Sequence, residues 1–148
     1  MLDVLATRLA SELDDNCWVS PETHRRALKV RVHDFVQRHL ADPDLSPADI
    51  AAAHDISLRM LYNLFQIQGL TVAGWIRSRR LQACQHDLVD PAQASRPVAA
   101  IAAHWGFRSP NHFNRLFRSV YGLPPHEYRR TVAGSPPADH PNRALTRY

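Results

Sequence analysis

The chain states one local pattern twice. Ile50-Ala51-Ala52-Ala53-His54-Asp55-Ile56-Ser57 runs into Leu58 through Phe65; about fifty residues later, Ile101-Ala102-Ala103-His104-Trp105-Gly106-Phe107-Arg108-Ser109 runs into Pro110 through Phe117. Each copy is an Ala-rich apolar run, a turn-tolerant residue (Asp55 or Gly106), a Ser, and a helix-period segment with Asn and Arg on its polar side. The first N–H groups of a helix have no intrahelical partner, and a Ser hydroxyl just ahead of them accepts their hydrogen bonds. Each Ser therefore marks the start of a second helix. Helix, tight turn, capped helix is the order of a helix-turn-helix, and a fold for this chain has to accommodate two of them. With the copies laid together by their alanine runs, His54 and His104 take matching places and read as turn-facing structural residues.

The flanking segments are also helical in period. Leu2, Leu5, Leu9 and Leu13 share a stripe, which predicts a short amphipathic helix followed by a linker to residue 20. Ser20 caps a helix with Pro21 in its first turn and Leu28, Val32, Phe35, Val36 and Leu40 on its apolar stripe; Ala41-Asp42-Pro43-Asp44 closes it. Ser46, Pro47 and Asp49 make a capping-box-like start for the first helix-turn-helix, about 46–68, and Gly69 ends it. Thr71 to Leu88 reads as a long helix burying Trp75, Ile76, Leu81, Cys84 and Leu88. The second helix-turn-helix spans about 98–121, and Pro124 opens a last short helix to about Val132. From residue 133 the composition turns to Gly, Ser and Pro, the signature of a disordered tail. No segment has strand period, so the expected class is all-α.

Charge is distributed unevenly. Residues 1–56 hold six basic and ten acidic side chains, whereas residues 57–130 hold ten arginines against Asp87, Asp90 and Glu127. The positive half coincides with the repeated motif, which is the electrostatic footprint of a polyanion binder. Lys29 is the one lysine among eighteen cations. Arginine suits bidentate contact with phosphate and guanine, although the Ala- and Pro-rich composition also fits a GC-rich coding bias. That bias does not account for the segregation.

Two cysteines, Cys17 and Cys84, fit no metal or redox spacing and point to a reducing cytoplasm. No run of eighteen apolar residues exists to cross a membrane, and the N-terminus lacks a secretory pattern. No two of the nine histidines have H-x-x-x-H spacing, so neither metal ligation nor catalysis is expected, and no cofactor is implied.

At 100° per residue, Phe113, Leu116, Phe117 and Val120 fall on one side of the second capped helix, with Asn111, Arg115 and Arg118 nearly opposite and Arg108 beside them in the turn. In the first copy Leu58, Leu61, Leu64 and Phe65 face inward, Arg59, Asn63 and Gln66 point away, and Tyr62 sits at the border. Arg bonds guanine O6 and N7 in pairs, and Asn does the same for adenine N6 and N7. Arg77, Arg79, Arg80, Arg129 and Arg130 are the candidates for phosphate contact, which positions a protein without reading sequence. The competing reading is a helical protein-interaction module without DNA readout, which requires a large exposed apolar stripe.

These residues resemble the DNA-binding domain of AraC/XylS-type transcription regulators, over about Leu28 to Arg129. The second copy carries Ile101-Ala102, Trp105-Gly106-Phe107, Ser109, Phe113, Arg115, Phe117, Gly122, Pro125 and Tyr128-Arg129; the first carries Ala51, Ser57, Leu61 and Phe65, and Arg80-Leu81 matches the connecting helix. The resemblance implies two homeodomain-like three-helix subdomains joined by the helix at 71–88, within a DNA-binding domain of residues 21–132. It also implies recognition helices in successive major-groove segments of double-stranded DNA. Base-reading positions then fall on Arg59, Tyr62, Asn63, Asn111 and Arg115, with Arg108, Arg118, Arg77, Arg79, Arg80, Ser57 and Ser109 at phosphate or flanking positions. Activation of transcription, RNA polymerase as a partner and a homodimer formed through an upstream domain are further implications. Residues 1–20 read equally as the end of such an upstream sensor or dimerisation domain and as an ordinary helix packed on this one. Asp55 stands where the family usually has Gly, the Phe65–Gly69 connection is one residue short, and Pro124-Pro125 offers two counterparts for one family proline.

Overall fold

A computed structural model describes residues 20–66 and 69–133. The expected helix at residues 2–13, the end of the first helix-turn-helix at 67–68 and the tail from residue 134 lie outside the described residues. Within them run seven α-helices: α1 (Pro21–His39), α2 (Pro47–Ala53), α3 (Leu58–Gln66), α4 (Val72–Val89), α5 (Val98–His104), α6 (Pro110–Tyr121) and α7 (Pro125–Ala133), with a 3-10 turn at Pro91–Gln93 and no strand among the described residues. The chain divides into two compact units, residues 1–34 and 35–148, with the division inside α1. Both helix-turn-helix motifs belong to the second unit.

Capping chemistry sets the helix starts. Ser20 accepts the Thr23 N–H, and Thr71 accepts the Gly74 N–H at 3.0 Å. Ser46 and Asp49 form a full capping box, the Ser46 N–H donating to the Asp49 carboxylate at 2.9 Å while the Asp49 N–H donates to the Ser46 hydroxyl. The Ser46 hydroxyl, at 2.6 Å, and the Ser46 N–H both donate to the Asp49 carboxylate and hold that carboxyl below its ordinary pKa, since both bonds favour the ionised form. Of the two candidate prolines, Pro125 takes the first position of α7 and is buried.

α4 is the shared beam. Its first half buries Val72, Trp75 and Ile76, and the Trp75 ring lies 5.2 Å from Phe65 of α3. Its second half contributes Leu81, Cys84 and Leu88 to a core completed by Ile101 and Ala102 of α5 and Phe113 and Phe117 of α6. Tyr121 and Tyr128 close that core over Phe117, at 4.5 and 5.4 Å between ring centroids. Burial pushes the Tyr121 hydroxyl up to about 12 and, with Asp87 nearby, the Cys84 thiol up to about 12, so neither ionises near neutral pH.

The two turns are the same backbone device. In the first, the Asp55 N–H donates to Ala52 O and the Ile56 N–H to Ala51 O; in the second, the Gly106 N–H donates to Ala103 O and the Phe107 N–H to Ala102 O. This is the Schellman closure, which needs a left-handed residue directly after the helix. Asp55 takes it at φ 52° and Gly106 at φ 85°. The pairing corrects the alignment by alanine runs: Asp55 matches Gly106, so His54 matches Trp105, and His104 matches Ala53. Ser57 follows Ile56 directly, whereas Arg108 stands between Phe107 and Ser109. The second turn is therefore one residue longer, and the extra residue is an arginine.

Candidate nucleic-acid interface

Ser57 accepts the Met60 N–H at 3.1 Å, and Ser109 accepts the His112 N–H at 3.3 Å. These hydroxyls fix where α3 and α6 begin, and so which residues point outward. In α3, Leu61, Leu64 and Phe65 are buried, which turns Arg59, Tyr62 and Asn63 to the surface. In α6, Phe113 and Phe117 are buried and Leu116 and Val120 half-buried, which exposes Asn111, Arg115 and Arg118. Neither helix carries an acidic residue. Each presents hydrogen-bonding groups and positive charge, with no carboxylate to repel a phosphate.

Leu58 departs from expectation. Helical period places it on the inward side of α3, yet it is 41 % exposed, close to the 44 % of Tyr62. A helical wheel gives direction and no depth: Leu58 is the first residue of α3, and the core begins one turn later at Leu61. The outer face of α3 carries an aromatic ring, Tyr62, while that of α6, beyond Pro110 at its start, is polar.

The arginines expected at phosphates divide into two groups. Arg77, Arg108, Arg118 and Arg130 are exposed. The other three serve the fold. Arg79 is half-buried, with its guanidinium 5.5 Å from the Trp75 ring centroid and Nη1 donating to Gln82 Oε1 at 3.2 Å. Arg80 donates from Nε to the Leu40 carbonyl at 3.0 Å and from Nη2 to the Asp42 carbonyl, satisfying the end of α1 and the loop behind it. Burial is the largest influence on its pKa and lowers it; Asp42 opposes that and Arg108 adds to it. Arg129 donates to the Arg96 carbonyl at 2.8 Å. A single sequence shows an arginine's place on a helix but not whether its long side chain folds back onto a carbonyl forty residues away. Ser57 and Ser109, read as flanking contacts, have their hydroxyls engaged as caps.

Asp44 went unnoticed in the sequence. Its carboxylate pairs with Arg108 across 64 positions, and both side chains are exposed. Nearby, a cleft of about 360 Å³ opens between the start of α2, the middle of α4 and the second turn. Among the described residues no helix is long and apolar enough to cross a membrane.

Comparison with known proteins agrees with this geometry. The pattern of the family described as a helix-turn-helix domain matches residues 50–131, which take in both motifs. The transcriptional activator NphR of a Rhodococcus species is 36 % identical over 132 residues, covering 89 % of this chain and 38 % of NphR. The transcriptional activator RhrA of Rhizobium meliloti is 30 % identical over 116 residues, covering 78 % of this chain and 35 % of RhrA. The chain thus spans little more than a third of the length of these curated relatives. A crystal structure of a transcriptional regulator with an AraC-type DNA-binding domain, from Chromobacterium violaceum, superposes with a TM-score of 0.67 at 25 % identity, covering 75 % of this chain and 96 % of that one. A chain with two helix-turn-helix motifs joined by α4, matched by this family over more than half its length, belongs to the AraC/XylS-type helix-turn-helix family.

Proposed function

We propose that this chain binds double-stranded DNA sequence-specifically as part of a transcription regulator, with α3 and α6 entering successive major-groove segments. The observation that carries the reading is the pair of Ser-capped helices in one compact unit, each with an exposed polar face free of carboxylates. Arg59, Asn63, Asn111 and Arg115 are assigned to base edges, and Tyr62 to a thymine methyl or a phosphate. Arg77, Arg118 and Arg130 contact phosphates. Arg79, Arg80 and Arg129 are half-buried and each donates a hydrogen bond within the fold, and no direct contact is assigned to them.

The relatives are named transcriptional activators, which supports activation as the outcome. RNA polymerase as a partner, a homodimer formed through a further domain, and a bacterial cytoplasm as the setting belong to the same proposal. No catalytic step is part of it. A protein-interaction module requires a broad apolar surface; the large apolar side chains exposed among the described residues are Val30, Leu58, Tyr62 and Leu123, and two of the four lie on α3.

In vitro selection from a random DNA pool tests the reading. Two preferred blocks about one helical turn apart are expected if both motifs read bases. A single block means that one motif touches backbone alone, and no enrichment over random sequence would overturn the proposal.

A further inference from the structure

The cleft between the two motifs is cationic and has an unusual neighbour. Pro47, first residue of α2, lies on one side; Arg77 and Arg80 of α4 form its wall; Arg108, Ser109 and His112 lie on the other. No acidic side chain lines it. Its two rims come from different helix-turn-helix motifs, so a ligand here touches both. Arg80 is held rigidly by two backbone carbonyls, beneath Gly106, where a Cβ would come within 3.0 Å of its Cζ. Arg108 lies close enough to disfavour the Arg80 charge. Crowded like charges call for an anion. Asp42 acts on Arg80 from the loop behind it, and the Asp44 carboxylate, one residue before Leu45 on the cleft rim, holds Arg108 from outside.

We propose that this cleft binds one backbone phosphate of the DNA spanning the two motifs, and that Asp44 is a resident counter-ion that releases Arg108 to that phosphate when DNA docks. The inference rests on the DNA-binding reading and adds to it a site and an internal competitor. Arg77 and Arg108 are the direct ligands; Arg80 acts as a fixed charge behind them. An Arg–phosphate contact is charge-assisted and frequently bidentate. An exposed carboxylate pair is worth at most about a five-fold preference, so the exchange meets little resistance. The extra residue in the second turn acquires a purpose: it places a guanidinium at this boundary where the first turn has none.

The test is a double-mutant cycle on the full chain, with affinity for a random-sequence duplex of about three helical turns measured across a salt series. Arg108→Ala is expected to weaken binding to all sequences alike and to lower the salt slope by about 1. Asp44→Asn is expected to strengthen binding about three-fold, within the limit set for an exposed pair. In the Arg108→Ala background the same Asp44→Asn change is expected to do nothing. A gain of equal size in both backgrounds would reduce Asp44 to general charge repulsion and overturn the proposal, as would no gain in either. A loss for Arg108→Ala confined to one base position would make Arg108 a base reader instead. Both side chains are exposed, so the variants should fold, and a thermal melt of each confirms it; Arg108→Gln serves if the alanine variant does not. Failure of the unaltered chain to bind any duplex is a distinct result that removes the DNA reading itself, and this site with it.

Discussion

The two helix-turn-helix motifs share a backbone and differ in almost everything that decorates it. Both close their first helix with the same pair of hydrogen bonds and start their second from a Ser. The first spends a strained Asp on the left-handed position and exposes Leu58 and Tyr62 beside Arg59 and Asn63. The second uses Gly, inserts Arg108, and exposes Asn111, His112, Asn114, Arg115 and Arg118 along its second helix. Beneath, the first pairs Phe65 with Trp75, while the second stacks Phe107, Phe113, Phe117, Tyr121 and Tyr128 in one connected series. Backbone geometry is thus what the repeat preserves, and the contact chemistry of each copy is set apart from it. The second helix of the first motif exposes an aromatic ring and one arginine, that of the second motif two arginines and no aromatic ring but His112.

The largest effect that tests this contrast lies in the cores. Phe117 is wholly buried and neighbours Phe113, Tyr121 and Tyr128. Phe65 is equally buried, and Phe117→Ala and Phe65→Ala should each cost about 3–5 kcal/mol. Chemical denaturation measures both. A loss well below this range for either variant would mean that its motif repacks around the missing ring.

On DNA, the contrast should appear as salt dependence. Arg115→Ala is expected to lose about 1–3 kcal/mol on the selected site, relax preference at one position and flatten the salt slope. Tyr62→Ala is expected to lose about 1 kcal/mol with the slope unchanged, since Tyr62 brings no charge. Equal slope changes for the two would dissolve the distinction between an uncharged and an ionic contact.

These expectations rest on features of unequal legibility in the sequence. The caps at Ser20, Ser46, Ser57 and Ser109 were readable because each acts on a neighbour three residues away, while Thr71, read as the first residue of its helix, turns out to be a cap too. The cores of α3, α4 and α6 were readable because burial follows helical period. What escaped was longer in range. The single-residue offset at Arg108 slid His104 onto His54's place, and only the hydrogen bonds of the turns show that Trp105 belongs there. Arg80 and Arg129 looked like phosphate ligands until their carbonyl partners, 40 and 33 positions away, were visible. Asp44 gives no local sign of its bond to Arg108.

The turns offer a sharper comparison at smaller magnitude. Gly106→Ala should cost about 2 kcal/mol, because an L side chain at φ 85° is strained and its Cβ meets the Arg80 guanidinium. Asp55→Gly should do the reverse and stabilise by about 0.5 kcal/mol, the relief of left-handed strain outweighing the extra freedom of an unfolded glycine. Thermal melts of the two variants read the sign directly. A stabilising Gly106→Ala would show that this turn does not demand glycine.

The smallest effect is a difference in acid response between the two leading helices. α2 begins with the Ser46–Asp49 box, whereas α5 begins after Pro97 with no side-chain cap. The Asp49 carboxyl is held below its ordinary value by its bonds to Ser46. A carboxylate lowered in the folded state contributes stability that is complete above its unfolded pKa, about 4, and is lost as pH falls through the lower folded value. Acidification below about pH 4 should therefore fray the start of α2 while leaving the start of α5 unaffected. Amide chemical shifts of Ser46 and Asp49, set against those of Val98 and Ala99, follow the two ends separately. Ser46→Ala should shift the Asp49 titration back toward the ordinary carboxylate value, since the hydroxyl is the largest cause of the shift. If both helix starts loosened together and Ser46→Ala left that titration unmoved, acid would be acting through the shared α4 beam, and the two motifs would respond as one structure.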